Sequence, residues 1–392
     1  MELKPGYKQT EVGVIPEDWI ACTLSALATM KSGESITSTN IDQFSRYPCY
    51  GGNGLRGYTT RFTHDGCHAL IGRQGALCGN VLAVNGQFFA SEHAIVVTAS
   101  PHTDISWLTF VLGKMNLNRY SESSAQPGLS VAKILSLPVG APPQKAEQTA
   151  IAAALSDVDG LLIMLDRLIA KRRDLKQAAM QQLLTGRNRL PGFTGGWEVK
   201  PLGDCLSGRP DYGINAPAVP YSDRLPAYVR ITDITEDGRF SHEKLVSVDS
   251  AESSNYYLSD GDIVFARTGA SVGKSYRYNL SDGPLVFAGF LIRVRSDKRK
   301  LLPAFLAAYI TTDAYWNWVR LMSTRSGQPG INGNEYSQMP IPIPPLSEQI
   351  AIAAVLSDMD SEIAALEARR DKTRLLKQGM MQELLTGRTR LI

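Results

Sequence analysis

The chain has 392 residues, 43% of them hydrophobic and 20% charged, with a mean hydropathy of −0.13 and a net charge of +3. That length is enough for two or three domains with real cores, and the near-neutral balance excludes a nucleic-acid binder recognisable by charge alone. No apolar run approaches the roughly 18 residues of a membrane span, and the opening MELKPGYKQTEVG lacks the apolar core of a signal peptide.

The first stretch, residues 1–142, reads as a globular domain. A Trp-containing lead, PEDWIACTLSALA, is followed by a glycine-rich loop, CYGGNGLRGY (49–58), and by a Gly-spaced strand–turn segment, ALIGRQGALCGNVLAV (69–84). Asn85–Gly86, between VLAV and QFFA, predicts a type I′ hairpin. A strand-like run, FFASEHAIVVTA, an aromatic-rich helix, ISWLTFVLGKM, and the loop SSAQPGLS complete the stretch. A long helix then occupies 143–190, opened by Pro142–Pro143 and closed by Gly186. Its apolar residues Ile151, Leu155, Val158, Leu162, Leu165 and Ile169 follow the 4–3 steps of a coiled-coil seam; the stripe then shifts phase and resumes at Leu175, Ala179 and Leu183.

The second half repeats this order. Residues 191–343 carry a lead, GGWEVKPLGDCL, a strand–turn segment, DIVFARTGASVGKSYRY (262–278), a strand, LVFAGFLIRVR, a helix, PAFLAAYITTDAYWNWVRLM, and the loop RSGQPGIN. Residues 344–392 form a second long helix, with Ile352, Leu356, Met359, Ile363 and Leu366 on its seam, then Leu376, Met380 and Leu384, and Gly387 at its close. Segments 147–190 and 348–391 align without gaps, with 25 of 44 pairs identical. The expected fold class is α+β: two mixed α/β domains separated by two long helices packed as an antiparallel coiled coil, with a pseudo-twofold internal repeat.

The identities crowd into 147–159 and 171–190; between them only Leu165 is kept. Packing of the helices on each other needs apolar seams, not identical surface residues at the ends. The expectation is therefore a docking surface used twice, with Glu147, Gln148, Lys176, Gln177 and Arg187 in one copy and Glu348, Gln349, Lys377, Gln378 and Arg388 in the other. Plain duplication, with no special role for the ends, is the alternative.

Catalytic motifs are missing: there is no HExxH, no GxSxG and no Asn-Pro-Pro-aromatic run. Gly269–Ser275 imitates a P-loop, but the spacing requires glycine where Thr268 stands. His64, Cys67, His68 and Cys78 fit no usual zinc spacing. The five cysteines, 22, 49, 67, 78 and 205, are odd in number with no CxxC pair, as expected of free thiols in a reducing compartment and a cytoplasmic protein. The globular stretches are charge-balanced, with 10 basic and 10 acidic residues in 1–142 and 16 of each in 192–342. Their candidate DNA contacts are Tyr50, Asn53 and Arg56 on the first glycine-rich loop, Arg73 and Gln74 in GRQG, and Arg267, Thr268 and Lys274 around ARTG. Arginine can grip guanine O6/N7 and glutamine can grip adenine N6/N7, while glycines let backbone approach phosphate. A structural hairpin with a solvated arginine is the alternative at each loop. Gln126 and Gln328, kept in both QPG loops, suit a role in domain shape.

Taken together, the two helices with PPLSEQ-type starts (PPQKAEQ in the first copy, one residue longer) and LLTGR ends, and the preceding domains with GRQG, ARTG and QPG, resemble the specificity subunit of type I restriction–modification systems over nearly the whole chain. The resemblance implies two target recognition domains, each reading one half of a bipartite, asymmetric site in double-stranded DNA, and helices that set the gap between the halves. It further implies two modification subunits docked on the repeated surfaces, using S-adenosylmethionine to methylate adenine N6. Two restriction subunits would add ATP- and Mg-dependent translocation and cleavage. No cofactor, catalysis or membrane association is implied for this chain. The rival reading is a non-catalytic scaffold that pairs two copies of a partner without reading DNA.

Overall fold

A computed structural model describes residues 5–75, 77–121, 128–324 and 329–391. The chain divides into two compact units, Met1–Arg167 with Glu367–Ile392, and Leu168–Leu366. Both divisions fall inside the long helices, α1 (Lys145–Leu183) and α2 (Leu346–Leu384). Each unit therefore joins one globular domain to the first part of one helix and the last part of the other.

In the first unit, a four-stranded antiparallel sheet is built from β1 (Ala28–Ser32), β2 (His68–Gly72), β3 (Val81–Val84) and β4 (Ala94–Ala99), in the order β1-β4-β2-β3. Its central strands bury both faces. Ala69, Ile71, Ile95 and Val97 join the main core with Trp107 and Leu108, while Leu70 and Val96 pack with Phe88 on the other side. The second unit repeats the arrangement with β5 (Asp211–Tyr212), β6 (Ile263–Ala266), β7 (Ser275–Arg277) and β8 (Leu291–Val294), in the order β5-β8-β6-β7. Ile263, Phe265, Ile292 and Val294 again face the main core, and Val264, Ala266 and Leu291 the other. Period-two alternation of apolar side chains is what lets one strand serve two cores.

Two local expectations change. Asn85–Gly86 makes no type I′ hairpin: Val81–Val84 pairs with His68–Gly72, whereas Phe89–Ala90 pairs in parallel with Tyr47–Gly51. Gly86 has φ +91°, but Asn85 is not in the left-handed region, and I′ geometry needs positive φ at both. The turn instead passes the chain from one sheet to the next. The predicted aromatic helix of the second domain is two helices, Pro303–Tyr309 and Asp313–Ser323, because Thr312 caps the second by accepting from Tyr315 N.

Each long helix has 39 residues, about 58 Å at 1.5 Å per residue. Inside each unit the helix segments run antiparallel. Asp159 pairs with Lys377 at 2.5 Å, and Asp166 with Arg370 at 3.7 Å, in the first unit. Arg172 pairs with Glu362 at 2.9 Å, and Lys176 with Asp360 at 2.5 Å, in the second. Ile151, Leu155, Leu165, Ile169, Ile352, Leu356 and Ile363 are buried, as the 4–3 steps predict. Past the phase shift the expected seam fails only at its first step, where Leu175 is 44% exposed and Leu376 58%; Leu183 and Leu384 are buried, and Ala179 and Met380 pack against the same cores. The shift turns those two leucines outward; Thr373 is buried, whereas its repeat equivalent Arg172 stays 40% exposed in its ion pair with Glu362. An 18-residue window of α1 reaches a mean hydropathy of 1.4, apolar enough by composition to cross a membrane. Run length had missed it; Ile151, Ala152 and Leu155 of this helix lie in the first domain's core.

The helix ends explain the repeat. Leu183 and Leu184, at the end of α1, belong to the second domain's core, and Leu384 and Leu385, at the end of α2, to the first's. Gly186 (φ +70°) and Gly387 (φ +69°) then turn the chain in left-handed conformation. Beyond each turn an arginine reaches back to the start of the opposite helix. Arg189 forks onto both carboxylate oxygens of Glu348 at 2.5 and 2.6 Å, and Trp197 Nε1 donates to the same group at 3.1 Å. Arg390 forks onto Glu147 and also onto Asp18, at 2.9 Å twice. The hydrogen bond from Arg390 holds the Asp18 carboxyl below its ordinary range.

The neighbouring glutamines are equally occupied. Gln148 accepts from Asp104 N at 2.8 Å and donates to Pro142 O at 2.9 Å; Gln349 accepts from Leu302 N at 2.8 Å and donates to Pro344 O at 3.0 Å. Glu147, Gln148, Glu348 and Gln349 are at most 2% exposed, so these four side chains are internal fasteners and not the docking surface expected of them. Lys176 and Lys377 are committed to the ion pairs between the helices. Gln177, Arg187, Gln378 and Arg388 remain exposed.

Glu348 is the buried member of its pair, and a change there loses hydrogen bonds made out of water. Glu348→Gln is expected to destabilise the chain by about 1–3 kcal/mol, whereas Glu236→Gln, at an exposed partner of Lys274, should change stability little. Urea unfolding of the two variants checks this; equal, small shifts would show that the clasp does not hold the unit.

Candidate nucleic-acid interface

The two Gly-rich loops lie at equivalent places. Gly72 ends β2 and Ala266 ends β6, each opposite the first residue of its antiparallel neighbour, Ala94 or Leu291. The next residue in each domain is an arginine with the same backbone bonds. Arg73 N donates to His93 O at 2.9 Å, and Arg73 O accepts from Leu129 N at 2.9 Å. Arg267 N donates to Phe290 O at 3.1 Å, and Arg267 O accepts from Ile331 N at 2.9 Å. Gln74 bridges Gly128 and Thr268 bridges Gly330, so the ends of the QPG loops brace the two cradles. Gln126 and Gln328 themselves lie outside the described residues.

The cradles carry different chemistry. In the first domain, Gln74 is exposed and its Oε1 lies 3.1 Å from His93 Nδ1. A carboxamide oxygen has two lone pairs and its nitrogen two protons, so capacity is left for another partner. In the second, Arg267 sits over the Tyr212 ring at 5.0 Å, and Phe290 is 60% exposed beside it. Lys274 is not a free phosphate ligand: its Nζ donates to Glu236 at 2.6 Å and to Ile234 O at 3.3 Å.

The loop with Tyr50, Asn53 and Arg56 joins the first cradle. A Cβ on Gly72 would strike Gly52 O at 2.5 Å, and one on Gly52 would press on Gln74 O and His93 O at 3.1 and 3.2 Å. These glycines are required because two backbones touch. Asn53 and Arg56 are exposed; Tyr50 is half-buried, edge-on to Phe88 at 5.9 Å, and burial pushes its phenol up. Sequence reasoning missed His93 and Phe290. Aligning the FA dipeptides of the two domains slips the register by one and pairs Phe290 with Glu92; the strand hydrogen bonds correct it. Among the described residues no cluster of three or more His, Cys, Asp or Glu is placed to hold a metal ion.

Comparison with known proteins gives this architecture a context. The model of the "Type I restriction modification DNA specificity domain" family matches residues 16–171 and 196–375, once per half. The specificity subunit of the type I restriction enzyme EcoprrI from Escherichia coli is 48% identical over 143 residues, 36% of this chain and 35% of that protein. The StySPI specificity subunit from Salmonella potsdam is 25% identical over 300 residues, 71% of this chain and 60% of that protein. The matches thus span about a third to three fifths of these relatives. The crystal structure of the S subunit from M. genitalium superposes with a TM-score of 0.63 at 16% identity, covering 97% of this chain and 99% of that one. The HsdS subunit from Thermoanaerobacter tengcongensis gives 0.50 at 17%, covering 95% and 98%. At those identities the likeness is one of fold.

The geometry ranks the basic candidates. Arg267→Ala is expected to weaken duplex DNA binding about tenfold, and Lys274→Ala less than about threefold because that ammonium is already paired. Fluorescence anisotropy on the chain assembled with its partners measures both; equal losses would mean that Lys274 leaves Glu236 for phosphate.

Proposed function

Because the chain belongs to the type I restriction–modification DNA specificity family, we propose that it is the sequence-reading subunit of such a complex. Each globular domain reads one half of a bipartite, asymmetric DNA site, and the two long helices set the gap. Two modification subunits dock on the outer faces of the helices and their exposed ends, where Gln177, Arg187, Gln378 and Arg388 remain open to solvent. They methylate adenine with S-adenosylmethionine, and two restriction subunits add ATP- and Mg-dependent cleavage. The chain itself is non-catalytic and cytoplasmic in this reading. Its candidate DNA contacts are Tyr50, Asn53, Arg56, Arg73, Gln74, Arg267 and Thr268, with Lys274 reduced to a paired, secondary role.

The observation that carries the reading is duplication with divergence. The same sheet, cradle and helix clasp occur twice, while the side chains offered from the cradles differ. A scaffold that merely paired two partners would need the clasp and helices but would have no use for two unlike cradles.

The test is genome-wide adenine methylation in cells expressing the chain with its modification subunit, against cells lacking the chain. A new split motif, two short specified blocks around a fixed gap, is the expected result. Unchanged methylation with an assembled complex would favour the scaffold. The charge balance of both domains adds a second expectation. Phosphate neutralisation provides most nonspecific affinity, so the isolated chain should bind duplex weakly and gain affinity only with its partners. Nanomolar, sequence-selective binding by the chain alone would count against it.

A further inference from the structure

Resting on that reading, we propose that His93 and Phe290 are equivalent specificity-determining positions, each setting which base edge its own domain accepts. The equivalence comes from backbone geometry. Gly33 N donates to Ala94 O at 3.0 Å and Gly213 N to Leu291 O at 3.3 Å; Glu34 N donates to Ala90 O and Ile214 N to Phe287 O, both at 2.9 Å. A Cβ on either glycine would lie 2.2 Å from a carbonyl oxygen, Ala90 O or Phe287 O. These bonds bracket His93 in one domain and Phe290 in the other, at the same offset and without a gap. The carbonyls of His93 and Phe290 themselves receive the amides of Arg73 and Arg267. The main chain at the two positions is thereby held alike, and the side chain is the variable.

What varies is the kind of contact on offer. His93 turns a ring nitrogen to Gln74 and the other to Glu92, at 3.1 and 3.3 Å. Whichever way that contact runs, the Gln74 carboxamide keeps at least one N–H and one lone pair for a hydrogen-bonding base edge, as adenine N6/N7 presents. Phe290 has no hydrogen-bonding capacity. It is a large apolar side chain left mostly in solvent beside Arg267, whose guanidinium is seated on Tyr212. An apolar surface next to a held arginine suits a thymine methyl adjoining a guanine. The residue that matches Tyr212 in the first domain is Ser32, so Arg73 has no such seat.

The experiment uses the complete chain assembled with its modification partner, carrying Phe290→His or His93→Phe, and reads the methylated motif genome-wide. Phe290→His is expected to change base preference at one position of one half by about tenfold, leaving the other half and the gap unchanged. His93→Phe should do the same in the opposite half. Assembly by size exclusion, unchanged in both variants, separates this from misfolding. The wild-type motif retained at the wild-type methylated fraction would overturn the inference, as would a uniform loss across all sites from an assembled complex. A wild-type complex that writes no split motif at all would instead remove the reading on which the inference stands.

Discussion

A carboxylate buried at the start of each long helix, answered by an arginine just beyond the end of the other, is the constraint on which this structure depends. Glu348 is fully buried and Glu147 nearly so. An unpaired buried carboxylate costs several kcal/mol, and the forked arginine offsets that cost at each. The partners, Arg189 and Arg390, arrive only if each helix runs its full length and turns at its glycine. Two leucines ahead of each turn go into the same domain core, joining an apolar contribution to the ionic one. The helix ends are thus part of the domains, and each domain is complete only when the far end of the other helix is present.

This arrangement explains the distribution of identity along the repeat. Residues used for fastening recur in both copies: the Glu-Gln start, the Asp and Lys that pair between the helices, and the Leu-Leu-Thr-Gly-Arg end. Each does the same work in both units. In the middle of the helices the ion pairs, Asp166–Arg370 and Arg172–Glu362, are not repeated between the copies, and there the sequences have drifted apart. Leu161, Ile163 and Met164, on the first helix, are exposed where the second has Glu362, Ala364 and Ala365.

Divergence in the globular domains follows a related logic. The backbone around each cradle is held by strand hydrogen bonds and by glycines at close approaches, neither of which depends on the neighbouring side chains. Such a frame tolerates exchange at its exposed positions without loss of fold. Two like domains can therefore keep one architecture while offering a hydrogen-bonding set in one case and a cationic–apolar set in the other. Under the proposed function, the near-zero net charge of both would suit a division of labour in which these surfaces discriminate and other subunits add affinity.

Much of this was legible in the order of residues. The repeat, the two helices of nearly 40 residues, their proline starts and glycine stops, and the doubled order of domain and helix all follow from local patterns. Periodicity and capping report on residues a few positions apart, and those signals placed both long helices. What the order of residues could not decide was every contact made across hundreds of positions. Glu147 and Gln148 looked like repeated surface; they are buried because Arg390 and the loop before the first helix close over them. Leu175 and Leu376 looked like seam, yet the phase shift turned them outward once both helices were paired. Asn85–Gly86 looked like a hairpin until competing strands claimed its flanks. The equivalence of His93 and Phe290 was hidden by a misleading dipeptide and became visible only in the strand register. In each case local sequence sets what a segment can form, and the free energy of burying charge and apolar surface against distant partners, available only after folding, selects among those forms.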